Sequence, residues 1–109
     1  MPHRLASTSL VNLTTGGILA VGQGCDLYLL KFYNPAAAVT YLQVFDATAS
    51  GGITLGTTVP KLVWGVASAT NDEIATDSGL GFEVGVYIIP TTTPTGATGV
   101  LIHGFLFFG

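Results

Sequence analysis

Three short stretches hold residue types from which enzyme or ligand sites are built. Thr76-Asp77-Ser78-Gly79 carries the Asp-Ser-Gly of a serine-protease nucleophile. That chemistry needs a general base against the serine and a third group to orient the base. Only His3 and His103 are available as bases, and the flanking glycines of the protease motif are missing. Asp, Ser and Gly are the standard turn formers, so a polar turn is the expected reading. The second stretch, Gly51 to Thr58, has the glycine spacing of a phosphate-binding loop. A lysine must follow the second glycine to reach the phosphates, and here that position is Thr57. Val59-Pro60 then opens a strand where the motif requires a helix. Gly79-Leu80-Gly81 is an equally weak nucleotide signal, and these glycines read as turn and strand-entry positions. The third stretch is the acidic cluster Asn71-Asp72-Glu73 with Asp77. A calcium loop alternates its oxygen ligands as D-x-D-x-D-G, a spacing that this cluster lacks. It reads as a solvated acidic loop that favours solubility.

The single residues are equally bland. His103 stands among apolar neighbours, as a structural histidine does, and an interface histidine of that kind can sense pH. Cys25 at a strand start reads as a small buried hydrophobe, and with no second cysteine it forms no internal disulfide. Trp64 shares a strand face with Leu62 and Val66 and reads as core, with a sugar-stacking platform as the alternative. Asn12-Leu13-Thr14 is a formal glycosylation sequon without a secretory signal beside it. No acid, base and nucleophile come together. The expectation is a protein that is not an enzyme and uses no cofactor and no metal.

Composition narrows the classes further. Of 109 residues, 49% are hydrophobic and 8% charged, with a net charge of −3. Average soluble domains carry about 25% charged residues, so here hydroxyls and bare backbone must cover the surface. Fifteen threonines, five serines and fifteen glycines supply them. Arg4, Lys31 and Lys61 are the only cations, too few to neutralise a nucleic-acid backbone. No Cys/His cluster exists for zinc. MPHRLASTSL lacks the unbroken apolar stretch of a signal peptide, and no apolar run reaches the roughly 18 residues of a membrane helix. Disorder is excluded by a mean hydropathy of +0.62. The length suits one domain.

The elements that must position these residues are strands. No stretch has the helical spacing of apolar residues with a cap. β-Branched and aromatic runs bounded by Gly, Pro, Asn and Asp predict strands over 10–13, 18–21, 26–33, 40–46, 61–66, 81–89 and 99–108. The segments 48–58, 68–78 and 90–98 read as loops. Seven or eight such strands predict an all-β chain, an antiparallel β-sandwich of jelly-roll-like form. Residues 1–24 read as an N-terminal arm or edge strands and 25–109 as the sandwich domain.

Alternation within the strands is the most informative pattern. In 26–33, Tyr28, Leu30 and Phe32 share one face while Leu27, Leu29, Lys31 and Tyr33 share the other. In 81–89, Phe82, Val84, Val86 and Ile88 oppose Glu83, Tyr87 and Ile89. In 99–108, Val100, Ile102, Leu106 and Phe108 oppose Leu101, His103, Phe105 and Phe107. A half-exposed antiparallel strand should be apolar on one face only. These are apolar on both, so the second faces need a cover. Burying 1,000 Å² of apolar surface is worth roughly 25 kcal/mol before association costs. An obligate homo-oligomer, a trimer or larger array, supplies that cover, with Leu27, Leu29, Tyr33, Tyr87, Ile89, Leu101, Phe105 and Phe107 as its interface. The alternative is that the chain's own first 20 residues or its loops cover the face.

Two sets of segments carry a resemblance. One is Tyr28-Leu29-Leu30-Lys31-Phe32-Tyr33-Asn34-Pro35-Ala36-Ala37, followed by Leu42-Gln43-Val44-Phe45. The other is Leu55-Gly56-Thr57-Thr58-Val59-Pro60-Lys61-Leu62, then Gly79-Leu80-Gly81-Phe82 and Thr91-Thr92-Thr93-Pro94-Thr95-Gly96. Across about residues 26–98 they resemble small β-sandwich structural proteins of tailed bacteriophages. That resemblance implies a capsid decoration, or cement, protein on the capsid exterior, made in the bacterial cytoplasm. Its partners would be its own copies, a trimer being favoured, and the major capsid protein, with no nucleic acid or membrane. A receptor- or carbohydrate-binding module of a phage head or tail fibre is the second reading, with Trp64, Tyr41, Tyr87 and the acidic loop lining its sites.

Overall fold

The computed structural model describes residues 6–13, 17–95 and 102–109, with the backbone alone for 6–13 and Asp77. Eight strands follow one another: β1 (Ala6–Leu13), β2 (Ile18–Val21), β3 (Cys25–Asn34), β4 (Thr40–Asp46), β5 (Leu62–Val66), β6 (Thr70–Phe82), β7 (Val86–Thr91) and β8 (Ile102–Phe108). They form two antiparallel sheets, ordered β1-β8-β3-β6 and β2-β7-β4-β5. In each pairing of β1 with β8, β2 with β7, β3 with β6 and β4 with β5, early chain meets late chain. That is the winding of an eight-stranded jelly roll. No helix among the described residues is long and apolar enough to cross a membrane.

The core lies between the sheets. Leu27, Leu30, Phe32, Ile102 and Leu106 face Leu42, Val44, Val66, Val86 and Ile88, and all ten side chains are essentially buried. Trp64 joins them from β5, edge-on to Phe32 with ring centroids 6.0 Å apart, and donates its indole N–H to Asp72 Oδ2 at 3.0 Å. Trp64 therefore belongs to the core and offers no exposed platform for a sugar.

Two features depart from the sequence reading. The first is a bulge in β3. Leu27 pairs with Phe108 and Leu29 with Phe107, which leaves Tyr28 with no residue of its own on β8. An inserted residue reverses the alternation beyond it. Leu27 consequently points inward with Leu30 and Phe32, while Leu29 stays outside. Across from the bulge, β6 runs through residues 76–79 between the pairs Ala75↔Leu29 and Leu80↔Leu27. The Thr76-Asp77-Ser78-Gly79 segment is thus an edge-strand bulge. Thr76 donates its hydroxyl to Leu27 O at 2.7 Å, and Gly79 adopts a positive φ of 83°.

The second departure is β6 itself. Residues 68–78, read as a loop, mostly belong to this strand, and the apolar run 81–89 divides between two sheets. β6 ends at Phe82, β7 begins at Val86, and the chain changes sheets between them. Asp46 fixes this crossing. Its Oδ2 accepts the Glu83 N–H at 2.9 Å, and its Oδ1 accepts those of Val84 at 2.9 Å and Gly85 at 3.3 Å. Burial works against the charge on Asp46, but these donors and Lys61 outweigh it and hold the carboxyl below its ordinary value. A lowered folded-state pKa stabilises the fold above the unfolded value, about 3.9, and that contribution vanishes as pH falls through the folded value. Asp46→Asn should therefore lower the melting temperature at pH 7 and narrow the gap between pH 7 and pH 3. An unchanged gap would show that Asp46 does not set acid sensitivity.

Asn34, fully buried at the end of β3, ties three more elements together. Its Nδ2 donates to Ala38 O and Val66 O, both at 2.9 Å. Its Oδ1 accepts from the Ala36 N–H at 2.9 Å and the Thr40 hydroxyl at 3.1 Å. The described part of residues 1–24 contributes β1 to one sheet and β2 to the other, each as an edge strand. Removing residues 1–20 would take an edge from both sheets.

Candidate functional site

The outer face of the β1-β8-β3-β6 sheet brings four of the expected interface residues together. Register sets three ranks across β8, β3 and β6. These are Phe107–Leu29–Ala75, Phe105–Lys31–Glu73 and His103–Tyr33–Asn71. On the β1 side, Ser7 pairs with Phe107 and Ser9 with Phe105. The alternating positions Leu30, Phe32 and Leu106 are buried inside, so these ranks face outward. Phe105 and Phe107 pack on one another with centroids 5.5 Å apart. Leu29, Phe105 and Phe107 stay partly accessible, and Tyr33 is 40% exposed. Aromatic and aliphatic surface therefore runs along two adjacent strands, with Lys31 and Glu73 in its middle rank.

The outer face of the second sheet is different. Gln43, Phe45 and Ile89 point away from the main core yet are buried. The chain's own connections lie over Gln43 and Ile89. A cavity of about 230 Å³ lies between Gln43, Val63, the 56–60 segment, Pro94 and Thr95. A Cβ on Gly17 would sit 2.7 Å from Ile89 Cγ1 and 2.5 Å from Ile88 O, so that backbone rests directly on β7. Beneath, Gln43 Nε2 donates to Thr91 Oγ1 at 3.1 Å. Loop cover was one of the alternatives read from the sequence, and on this sheet it operates.

The eight expected interface residues thus separate. Leu29, Tyr33, Phe105 and Phe107 share one accessible face. Tyr87 is half-buried on the other sheet. Leu27 and Ile89 are corrections: the Tyr28 bulge turns Leu27 into the core, and the Gly17 backbone lies over the buried Ile89. Leu101 lies outside the described residues.

The candidates for chemistry stay apart. His103 pairs with Tyr33, and Ser78 lies in the bulge opposite Tyr28. Five residues along β3 place these sites roughly 16 Å apart, too far for base and nucleophile. His3 lies outside the described residues. In the 51–58 segment the Thr57 and Thr58 N–H groups both donate to Thr54 O, at 3.0 and 2.8 Å. The Thr54 N–H donates to Thr58 Oγ1 at 2.9 Å. Those donors close a turn and make no cradle for phosphate. Asp72 is occupied by Trp64, and among the described residues no group of three His, Cys, Asp or Glu side chains converges as a metal site. Burial, then Asp26 and Asp46, push the Cys25 thiol above its ordinary pKa, the reverse of an activated nucleophile.

The residue that sequence reasoning passed over is Asn34. Its one signal was position: a polar residue closing a long apolar run, directly before Pro35. No protein-family model, curated protein or solved structure matches this chain.

Proposed function

We propose that this chain is a structural virion protein, a capsid decoration protein that stabilises the head through contacts with its own copies and with the major capsid protein. The observation that carries the reading is the outer face of the β1-β8-β3-β6 sheet, where Leu29, Tyr33, Phe105 and Phe107 form one accessible apolar surface. Apolar surface on one face, with aromatic anchors around the cross-strand Lys31–Glu73 pair, suits a protein–protein contact. Ser78 lies apart from His103 and the 51–58 turn is closed on itself, so neither of these motifs competes with a contact role. The resemblance of 26–98 to phage β-sandwich proteins supplies the setting. Jelly rolls serve in viral capsids and also in lectins, so the fold is compatible with the role and does not select it. The fibre-module reading is weakened by the burial of Trp64, its main stacking residue.

The test is a binding assay with assembled heads of the encoding virus, using wild-type protein and Phe105→Ser/Phe107→Ser. Wild type should self-associate and add to heads. The double variant should keep its far-UV circular dichroism and bind at least about tenfold more weakly, since interface aromatics each carry on the order of 1–2 kcal/mol or more. A wild type that stays monomeric and ignores heads would overturn the reading.

A further inference from the structure

We propose that β1 is a seam at which two copies of this chain join edge to edge, making one continuous eight-stranded sheet. The inference deepens the reading above and rests on its claim of self-association. The two sheets end in four edge strands, β1 and β6 on one and β2 and β5 on the other. Sheet edges offer backbone N–H and C=O groups to any passing strand, and proteins blunt them with shortness, charge, proline or bulges.

Three of the four edges are blunted. β2 has four residues. β5 has five, contains Gly65 and follows Pro60-Lys61. β6 is long, but it carries Asp72 and Glu73 and is broken at 76–79 by a bulge ending in Gly79 at φ 83°. β1 has eight residues, Ala-Ser-Thr-Ser-Leu-Val-Asn-Leu, with no charge, proline or glycine. Its register with β8 is regular over five consecutive pairs, from Ala6↔Phe108 to Leu10↔Gly104, and shifts only near its end. Among the described residues its other edge has no partner strand.

A second copy is the occupant that suits this edge. A strand pairing antiparallel with itself about a two-fold axis is self-complementary and closes as a dimer. The chain has a net charge of −3, so copies meet best where no like charges oppose each other. At β6 the carboxylates of Asp72 and Glu73 would face their own counterparts; at β1 there is nothing to repel. The seam also extends the proposed contact face. β8 lies next to β1, so two joined copies place both Phe105–Phe107 pairs in one sheet, with their β8 strands roughly 14 Å apart across three strand spacings. Because the seam is two-fold, a trimer or larger array must use that face as well.

The test is hydrogen exchange on the full chain over a range of concentrations, with sedimentation velocity in parallel. Dimer should grow with concentration, and the outward amides of residues 6–13 should slow as it forms. Ser7→Lys/Ser9→Lys should weaken association about tenfold, through like charges set across the seam. If that variant fails to fold, exchange in the wild type still decides. An oligomer whose 6–13 amides exchange equally at every concentration, or a folded variant that associates as tightly as wild type, overturns the seam and leaves self-association standing. A chain that stays monomeric throughout overturns both.

Discussion

Replacing Asn34 with leucine should destabilise the fold by about 4 kcal/mol, a large part of the roughly 5–15 kcal/mol available to a domain of this size. Leucine keeps the branched outline but carries bulkier methyl groups, so the loss combines the missing hydrogen bonds with some overpacking. Four groups lose a partner at once: the carbonyls of Ala38 and Val66, the Ala36 N–H and the Thr40 hydroxyl. Thr40 is fully buried, as Asn34 is, and each buried orphan costs about 1–3 kcal/mol. The effect should also spread, because the amide joins the end of β3, the 35–39 connection, the start of β4 and the end of β5. Asn34→Asp is the sharper variant. It keeps the shape and both acceptor contacts, but turns a carboxylate oxygen towards two carbonyls that need a donor, at a fully buried position. It should cost at least as much as leucine at pH 7 and recover in part as the acid is protonated. Urea denaturation followed by circular dichroism measures both, and losses under about 1 kcal/mol would remove Asn34 from its central place.

Gly104→Ala should cost about 3 kcal/mol, although it adds only a methyl group to an apolar strand. Gly104 is the partner of both Leu10 on β1 and Phe32 on β3. A Cβ there would lie 2.4 Å from Phe32 Cδ2, 2.5 Å from Phe32 Cγ and 2.5 Å from Lys31 O. Two of those three atoms cannot swing aside. Cγ is the root of the ring, and Lys31 O belongs to the backbone of the neighbouring strand. Relief would have to move Phe32 away from Trp64 or part β8 from β3. Pairing the change with Phe32→Ala, which removes both Cγ and Cδ2, should recover part of the loss, giving a double variant less destabilised than the sum of the singles. Strict additivity in denaturation experiments would show that the ring is not what excludes the methyl.

These two positions also show what the sequence made legible. Composition and spacing were enough for an all-β chain of two antiparallel sheets, because β-branched and aromatic runs between Gly, Pro, Asn and Asp report strands directly. Leu29, Tyr33, Phe105 and Phe107 were legible as a shared face because no bulge falls between 29 and 33 or between 105 and 107. Leu27 was not, since one extra residue at Tyr28 reverses every assignment before it, and nothing in Asp26-Leu27-Tyr28-Leu29 announces a bulge. β6 was missed for another reason. Asn71, Asp72 and Glu73 have loop composition, and their strand conformation comes from pairing with Tyr33, Phe32 and Lys31 on β3. The sheet change at 83–85 depends on Asp46, which lies 37 residues from Glu83 in sequence. Ile89 was misplaced because cover by Gly17 is a tertiary event with no local signature. Gly104 carries no signal of its own within 99–108; it is the space that the Phe32 ring requires.

The cover on the second sheet sharpens the functional argument. Phe45 and Ile89 are large, apolar and buried, and the Gly17 backbone lies against Ile89. The first sheet leaves Phe105, Phe107 and Tyr33 accessible at its outer face. A chain with so few charges must place apolar surface somewhere: Ile18, Leu19, Val59, Val63 and Val84 expose theirs singly on edges and loops, whereas Leu29, Tyr33, Phe105 and Phe107 are aligned on adjacent strands with matched register. Alignment of aromatic side chains on one face, more than total hydrophobicity, is what separates a contact face from ordinary surface.

Hydroxyl-radical footprinting of the free protein and of the same protein on assembled heads measures that face side chain by side chain. The account expects oxidation of Tyr33, Phe105 and Phe107 to fall sharply on assembly, while Tyr87 on the opposite sheet changes little. Equal labelling of the three aromatic residues in both states would contradict it.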